Sequence, residues 1–150
     1  MHIFWFRRDL RLDDNTALHH ALLKHKNVQP IFIFDKNIIE ELDGDDARIN
    51  FIYENLSKIN STLKKHQSSL KVYFGNPVEI FREICHKVNI ESVYTNHDYE
   101  PYAIARDINV KEVLRDFGIP FISFKDQVIF EKNEVVKNDG TPYTVFTPYK

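Results

Sequence analysis

The chain has little of what several classes of protein require. Its 150 residues include one cysteine, four glycines and six prolines, and its 20 lysines and arginines are nearly balanced by 22 acids. A single cysteine excludes an internal disulfide framework and suits a reducing compartment. So few glycines and prolines exclude a collagenous or low-complexity chain. The net charge of −2 leaves no excess of cations for a phosphate backbone, so these residues alone do not predict a stand-alone DNA-binding protein.

Long hydrophobic runs and catalytic signatures are missing as well. The apolar residues 1–6 are followed at once by Arg7, Arg8 and Asp9, so the run is too short for a signal peptide or a membrane span. The seven histidines form no i,i+4 pair, Cys85 lies on an apolar helical stripe, and there is no G-x-S-x-G motif. We therefore expect a cytoplasmic monomer with no membrane partner, no metal site and no catalytic residue of its own.

What is present is an alternation of short apolar runs with longer amphipathic segments. The runs, rich in Ile, Val, Phe and Tyr, predict five strands at residues 2–6, 31–34, 70–74, 92–95 and 121–124. Between them apolar residues recur at helical spacing, most clearly at Ile49, Ile52, Leu56, Ile59 and Leu63. Asn76 before Pro77 predicts a helix start, and Gly118 predicts a helix end. The order βαβαβαβαβ predicts an α/β fold: a doubly wound, Rossmann-like, five-stranded parallel sheet between two helical layers.

The pattern changes after the fifth strand. Residues 134–136 and 143–146 predict two strands joined by a hairpin turn at Asn138-Asp139-Gly140. We assign residues 1–130 to the α/β domain and residues 131–150 to a hairpin and linker. We expect the chain to break off just beyond a domain boundary.

Three charged loops are the candidates for chemistry, because ligands of such sheets bind at the carboxyl ends of the strands, beside the reversal of strand order. They are residues 7–15, 35–46 and 96–102. The first has no glycine, which excludes a Gly-rich dinucleotide fingerprint and a P-loop there. A ligand contact is one interpretation of it. A loop of ion pairs that caps the next helix through Asp14 or Asn15 is the other, with equal support.

Residues 40–46 of the second loop carry five acids ahead of the longest helix. Ile39 and Leu42 interrupt the alternating ligands of a calcium loop, so a solvated helix start explains most of these acids. Arg48 lies just inside that helix, where a cation opposes the helix dipole, and this favours a specific partner for it.

The third loop alternates acids with aromatics: Asp98, Tyr99, Glu100 and Tyr102. Such a set at a strand end suits a planar heteroaromatic ligand, through stacking and hydrogen bonds. Packing of the two tyrosines on a neighbouring segment is the alternative, and composition alone favours it.

Three segments together resemble one family. Residues 4–18, which begin Phe-Trp-Phe-Arg-Arg-Asp-Leu-Arg-Leu, are similar to the opening motif of the DNA photolyase/cryptochrome family. Residues 96–107, with Asn-x-Asp-Tyr-Glu-Pro-Tyr followed by Arg106 and Asp107, resemble its segment after the fourth strand. Residues 145–150, Val-Phe-Thr-Pro-Tyr-Lys, resemble its exit from the amino-terminal domain. The resemblance covers essentially the whole chain.

The resemblance implies the amino-terminal domain of a flavoprotein, whose larger helical domain, absent here, binds FAD and UV-damaged DNA. The α/β domain would hold an auxiliary, light-harvesting antenna chromophore. The full protein would be a deoxyribodipyrimidine photolyase, a carbon–carbon lyase that uses light to split cyclobutane pyrimidine dimers. The 150 residues alone are expected to be inactive.

The same resemblance implies the residues of the antenna site. The chromophore-binding residues would be Asp35, Arg48, Asp98 and Glu100, supported by Arg8 and Tyr102. The other charged residues of loop 7–15 look like a structural loop that supports the crevice. Folate-type members place a glutamate where this chain has Ala103, so a deazaflavin- or flavin-type chromophore is expected rather than a folate.

Two alternative functions stay open. A cryptochrome-type blue-light photoreceptor would share this domain, because the flavin pocket and DNA groove that separate the two classes lie outside these residues. A stand-alone nucleotide-binding module with the same sheet architecture is the other alternative, and the missing phosphate loop counts against it.

Overall fold

The computed structural model describes residues 1–131 and 134–144, built around one parallel sheet. The strands are β1 (His2–Phe6), β2 (Val28–Asp35), β3 (Lys71–Gly75), β4 (Ser92–Asn96) and β5 (Phe121–Phe124). The helices are α1 (Thr16–Lys24), α2 (Lys36–Ile39), α3 (Ala47–Lys65), α4 (Pro77–Lys87) and α5 (Pro101–Asp116). The strand order β3-β2-β1-β4-β5, parallel throughout, confirms the predicted doubly wound fold. No helix in the described ranges is long and apolar enough to cross a bilayer.

Successive side chains of β1 point to opposite faces of the sheet, and each face carries a hydrophobic core. Ile3 and Trp5 belong to one core, which includes Phe81 of α4. Phe4 and Phe6 belong to the other, which α1 and α3 cover. All four of these β1 side chains are at most 1% exposed. The central strand is therefore rigidly packed, and the loop that follows it starts from a fixed position.

β2 is longer than the predicted run 31–34, because it begins ahead of Pro30. A proline offers no N–H to a strand ladder, so the sequence pattern predicts a start after it. The structure tolerates Pro30 because β2 pairs with β3 only from Ile31 onward, whereas its pairing with β1 starts at Val28. The short helix α2, which is too brief for an apolar period to predict, follows directly and is capped by Asp35.

Polar caps define the helix ends as predicted. Asn15 is the N-cap of α1, and its side chain accepts a hydrogen bond from the backbone N of Leu18 at 3.2 Å. Asn76 caps α4 ahead of Pro77. Gly118, with φ of +69°, follows the end of α5 in the left-handed conformation that favours glycine there.

The segment after β5 folds back on the carboxyl edge of the sheet. Asp126 accepts a hydrogen bond from the backbone N of Thr16 at 2.9 Å and pairs with Arg11 at 2.6 Å. Residues 137–141 form the predicted turn, in which the backbone N of Gly140 donates to the Lys137 carbonyl at 2.9 Å. The predicted strands around it are wrong for residues 134–136 and 143–144, which form no ladder, because an isolated two-stranded ribbon is marginal without a sheet to join. The rest of the second arm, 145–146, lies outside the described residues, and the division at residue 130 stays a prediction.

Candidate functional site

A crevice of about 260 Å³ opens at the carboxyl edge of the sheet, over β1 and β2. Its walls come from α2, α3, α5 and the loop after β4. Ile38, Ile39 and Ile52 supply apolar surface. The polar side chains that line it belong to Trp5, Arg7, Arg8, Asp35, Asp98, Glu100, Tyr102 and Arg106. The loops after β1 and β4 flank the reversal of strand order, so the crevice lies where the topology predicts a ligand.

Asp35, the last residue of β2, is a buried carboxylate held by two helices. Its Oδ2 accepts from the hydroxyl of Tyr102 in α5 at 2.7 Å, and its Oδ1 accepts from the backbone N of Asn37 in α2 at 3.1 Å. The Asn37 side-chain amide donates to the same hydroxyl at 3.1 Å, which closes a ring of three residues. Burial and the bond to Asp35 raise the pKa of Tyr102, so its hydroxyl stays a neutral donor. This ring ties α2 to α5 across the crevice.

Arg8, Asp98 and Glu100 form a charged group on the rim. Arg8 Nη1 lies 2.6 Å from Glu100 Oε1 and 3.7 Å from Asp98 Oδ1. The side chains of Arg8 and Glu100 are more than half exposed, whereas that of Asp98 is buried. An exposed pair of this kind contributes roughly 1 kcal/mol or less, so Arg8 and Glu100 can rearrange around a ligand at little cost. Asp98 is the fixed member of the group.

Arg106 is a buried cation that the sequence analysis did not assign to the site. Its guanidinium carbon lies 5.0 Å from the centroid of the Trp5 ring and 6.0 Å from that of Tyr102, so it sits close to two aromatic side chains. Its Nη2 lies 3.1 Å from Asp107 Oδ1 and 3.9 Å from Asp98 Oδ2. A signal was available: Arg106 falls between Ala103 and Val110 on the buried stripe of α5, and a charge at a core position needs partners.

The sequence predicts Trp5 only as an apolar strand residue. It is 1% exposed and lines the crevice, and its indole Nε1 has no hydrogen-bond partner among the residues that the structure describes. The guanidinium of Arg7 also lies over its ring, at 5.3 Å from the centroid. A buried donor without a partner costs free energy, which the packing around Trp5 has to offset.

The structure brings five of the six predicted residues to the crevice: Asp35, Asp98, Glu100, Arg8 and Tyr102. Arg48 is the exception, since within the described part of the chain it is not among the lining residues. It folds back on Asp46, the N-cap of α3, with Nη2 at 2.5 Å from Oδ2, and is 69% exposed. Hydrogen bonds from Arg48 lower the pKa of Asp46 to about 2. Asp46 is thus the partner expected for Arg48, whose charge opposes the helix dipole. A role for Arg48 at the chromophore stays a prediction.

Beyond Arg7 and Arg8, which line the crevice, the first loop is a structural element. Asp9, Asn15 and Asn96 form a buried network, in which the Asn96 amide donates to Asp9 Oδ2 at 2.6 Å and to Asn15 Oδ1 at 2.9 Å. The capping interpretation of this loop is therefore correct for these residues, while Arg8 alone among its exposed cations reaches the crevice.

Cys85 packs against the core, and burial raises the pKa of its thiol.

The crevice fits a planar ring with donors and acceptors on its edge. Arg8 and Arg106 carry N–H donors, Asp35 and Asp98 carry carboxylate oxygens, and the isoleucines supply an apolar wall. Its volume lies just under the roughly 300–1,000 Å³ of sites for drug-sized ligands, which suits one ring system rather than a whole dinucleotide.

Comparisons with known sequences agree on one family. The family model described as DNA photolyase matches residues 2–150. The deoxyribodipyrimidine photo-lyase of Synechococcus sp. is 30% identical over 147 residues, which are 98% of this chain and 30% of that protein. Cryptochromes are among the relatives as well. The chain therefore spans less than a third of the length of that photo-lyase.

Solved structures show the same fold. The bacterial class III photolyase from Agrobacterium tumefaciens aligns with a TM-score of 0.84 at 32% identity, over 97% of this chain and 30% of that one. The archaeal photolyase from Sulfolobus tokodaii aligns with a TM-score of 0.78 at 32% identity, over 90% of this chain and 31% of that one. That archaeal structure contains two FAD molecules and is described as implying a novel light-harvesting cofactor.

Proposed function

Because the chain belongs to the DNA photolyase family, we propose that it is the α/β domain of a light-driven deoxyribodipyrimidine photolyase and that its crevice binds the light-harvesting chromophore. The observation that carries this proposal is the crevice itself. It combines buried carboxylates and a buried guanidinium with an apolar wall, at the edge of the sheet where such folds bind ligands.

A deazaflavin or flavin ring fits the crevice better than a folate. Ala103 lines the crevice and presents only a methyl group, at the position where the family resemblance places a glutamate in folate-type members. A tricyclic flavin ring carries carbonyl acceptors and an N–H donor on one edge, and these match Arg106 and Asp98. The second FAD of the Sulfolobus tokodaii photolyase supports a flavin in this role. When bound, such a ring absorbs light and passes the excitation to FAD.

The repair chemistry belongs to residues beyond this chain. The chain spans 30% of the Synechococcus photo-lyase, and none of the described crevice residues is a candidate for splitting a pyrimidine dimer. We assign FAD and the binding of UV-damaged DNA to a helical domain that follows residues 131–150. The chain alone, illuminated with dimer-containing DNA and reduced FAD, should repair no more than free flavin does.

Direct ligand binding tests the antenna proposal. Purified chain is titrated into riboflavin, an 8-hydroxy-5-deazaflavin and 5,10-methenyltetrahydrofolate, and the fluorescence anisotropy of each ligand is followed. We expect the two tricyclic rings to bind and the folate to bind at least tenfold more weakly. Absence of binding by both tricyclic rings would refute the antenna function.

Paired variants locate the site. Arg106→Gln removes a charged donor from the crevice and should weaken binding about tenfold or more, since a hydrogen bond to a charged group is worth about 1.5–3 kcal/mol. Arg115→Gln changes an exposed arginine on the same helix and should leave affinity unchanged. Arg48→Gln decides whether Arg48 swings to the ligand: a loss equal to that of Arg106→Gln places it in the site. Equal affinities for the Arg106 and Arg115 variants would show that the ring binds elsewhere.

A cryptochrome-type photoreceptor is the second candidate, because cryptochromes are among the relatives. Both functions use the same crevice, so the binding experiment does not separate them. An assay of light-dependent repair of a dimer-containing oligonucleotide by the full protein separates the two functions, since a photoreceptor would leave the dimers intact.

A further inference from the structure

We propose that the Asp43–Gly44 bond is a modification site, at which the chain forms isoaspartate spontaneously and becomes a substrate for a carboxyl methyltransferase that uses S-adenosylmethionine. This modification does not depend on the antenna function. The site lies in the loop between α2 and α3, among residues 40–46, none of which lines the crevice in the described part of the chain.

Isomerisation of an aspartate transfers the main chain to its side chain. The backbone nitrogen of the next residue attacks the side-chain carboxyl carbon of the protonated acid, a C–N bond forms, and water leaves with the proton of that nitrogen. One water molecule then opens the resulting succinimide ring. Attack at the main-chain carbonyl leaves the chain joined through the side-chain carboxyl and sets free an α-carboxylate, so mass and oxidation state are unchanged. The methyltransferase recognises this α-carboxylate, whose oxygen takes the methyl group from the sulfonium of S-adenosylmethionine and leaves S-adenosylhomocysteine.

The sequence offers two sites for this chemistry. Glycine is the following residue that hinders the attack least, because it has no Cβ and leaves the backbone free to rotate. Of the four glycines, two follow an aspartate, in Asp43-Gly44 and Asp139-Gly140, and two follow a phenylalanine. No glycine follows an asparagine. The structure separates the two Asp-Gly pairs by the hydrogen bonds that each one makes.

Both reacting groups are free at Asp43 and Gly44. The two residues are exposed, and neither the Asp43 carboxylate nor the Gly44 N–H forms a hydrogen bond with any residue that the structure describes. A Cβ built on Gly44 would meet no heavy atom within 4 Å, so a ring has room there. The turn is closed by other atoms, since the backbone N of Asp46 donates to the Asp43 carbonyl at 3.0 Å. The charge of Asp43 acts on Arg48, but the guanidinium of Arg48 donates its hydrogen bonds to Asp46.

The same two groups are held at Asp139 and Gly140. Asp139 Oδ1 accepts from the backbone N of Thr141 at 2.9 Å and from its hydroxyl at 2.7 Å. These bonds lower the pKa of Asp139 and keep it a carboxylate, which a nitrogen attacks poorly. The Gly140 N–H donates to the Lys137 carbonyl at 2.9 Å. Because these bonds must break before a ring can form, isomerisation should be about tenfold slower here, or slower still, than at Asp43.

An isoaspartate at Asp43 adds one methylene to the main chain between α2 and α3. It changes the turn that leads to Asp46, the N-cap of α3. Ile38 and Ile39 of α2 and Ile52 of α3 line the crevice, so the lengthened connection joins two of its walls. Methylation of the α-carboxylate lets the succinimide form again, and its hydrolysis returns part of the chain to ordinary aspartate.

Ageing of the purified chain tests the site. The folded chain is warmed at neutral pH, and isoaspartate is measured by methyl transfer from radiolabelled S-adenosylmethionine with a purified isoaspartyl methyltransferase. Trypsin places the two Asp-Gly bonds in separate peptides, residues 37–48 and 138–150, and electron-transfer dissociation distinguishes the isomers. We expect isoaspartate to accumulate in peptide 37–48 about tenfold faster, or more, than in peptide 138–150.

Two controls separate the effect of the structure from that of the sequence. Asp43→Glu should remove most of the methyl transfer, because glutamate would have to close a six-membered ring, whereas the matched Asp139→Glu should leave it nearly unchanged. In guanidinium chloride both pairs are unfolded and should isomerise at similar rates. Equal accumulation in the two peptides of the folded chain, or the same ratio in the folded and unfolded chains, would overturn the proposal. Methyl transfer that survives Asp43→Glu undiminished would overturn it as well.

Discussion

The buried network of Asn96 gives a sharp prediction about what supports the crevice. Asn96 is 2% exposed, its Nδ2 donates to Asp9 and Asn15, and its Oδ1 accepts from the backbone N of Ala17 at 2.9 Å. Asn96→Ala leaves the Ala17 N–H buried without a partner, at about 1–3 kcal/mol, and removes a hydrogen bond to the Asp9 carboxylate, at about 1.5–3 kcal/mol. The expected loss is about 2.5–6 kcal/mol. That is a large part of the roughly 5–15 kcal/mol that stabilises a domain.

Urea unfolding followed by far-UV circular dichroism measures this loss. With a denaturant slope of about 2 kcal/mol per molar for a chain of this size, the midpoint should fall by about 2 M. Asn89→Ala is the control, because the exposed Asn89 side chain makes no hydrogen bond to the residues that the structure describes, so the change in the free energy of unfolding should stay within about 0.5 kcal/mol. A loss below about 1 kcal/mol for Asn96→Ala would refute the reasoning, because water would then be satisfying the Ala17 N–H. Asn96→Asp should be worse at neutral pH and recover on acidification, since it sets two carboxylates side by side.

Three further outcomes follow from named contacts. Burial and the stacked His25 ring, 3.4 Å away, lower the pKa of His2, so the unfolded chain binds the proton more readily than the folded one. The contribution of His2 to the free energy of unfolding should be complete above about pH 6.5 and fall as the pH drops below that value. His2→Gln should flatten this pH profile, measured by urea unfolding. Phe81→Ala, which empties a fully buried site beside Trp5, should lower the free energy of unfolding by about 3–5 kcal/mol. Tyr102→Phe removes the donor to buried Asp35 and should cost about 1–3 kcal/mol by the same assay.

Each of these has a matched control. His86→Gln changes an exposed histidine and should leave the pH profile of stability intact. Phe74→Ala and Tyr53→Phe alter side chains that are about two-thirds exposed, so their effects should stay within about 0.5 kcal/mol. Parallel pH profiles for His2→Gln and the unmodified chain would show that the stack carries no pH dependence. Equal decreases in the free energy of unfolding for the Phe81 and Phe74 variants, or for the Tyr102 and Tyr53 variants, would contradict the argument from burial.

The fold is largely a local property of this sequence. Apolar runs such as residues 2–6 predict buried strands, and Asn15, Asn76 and Gly118 mark helix ends, because caps and periodicity depend on near neighbours in the chain. The parallel order of the sheet then follows from the handedness of the crossovers. The exceptions have long-range causes: Pro30 is accepted inside β2 because the neighbouring strand begins one residue later.

The crevice could be located from the sequence, because topology brings the loops after β1 and β4 to one edge and a ligand is expected there. The contacts among the side chains that line the crevice could not be predicted from the sequence. Arg48 and Arg106 are both arginines near helix starts, yet Arg48 turns to the exposed cap Asp46 while Arg106 lies buried beside Trp5. The sequence by itself determined which segments are strands and helices, and which edge of the sheet carries charge. Only the tertiary structure decided which charged side chains pair with each other and which line the cavity, because such pairings depend on distances between residues that are far apart in the chain.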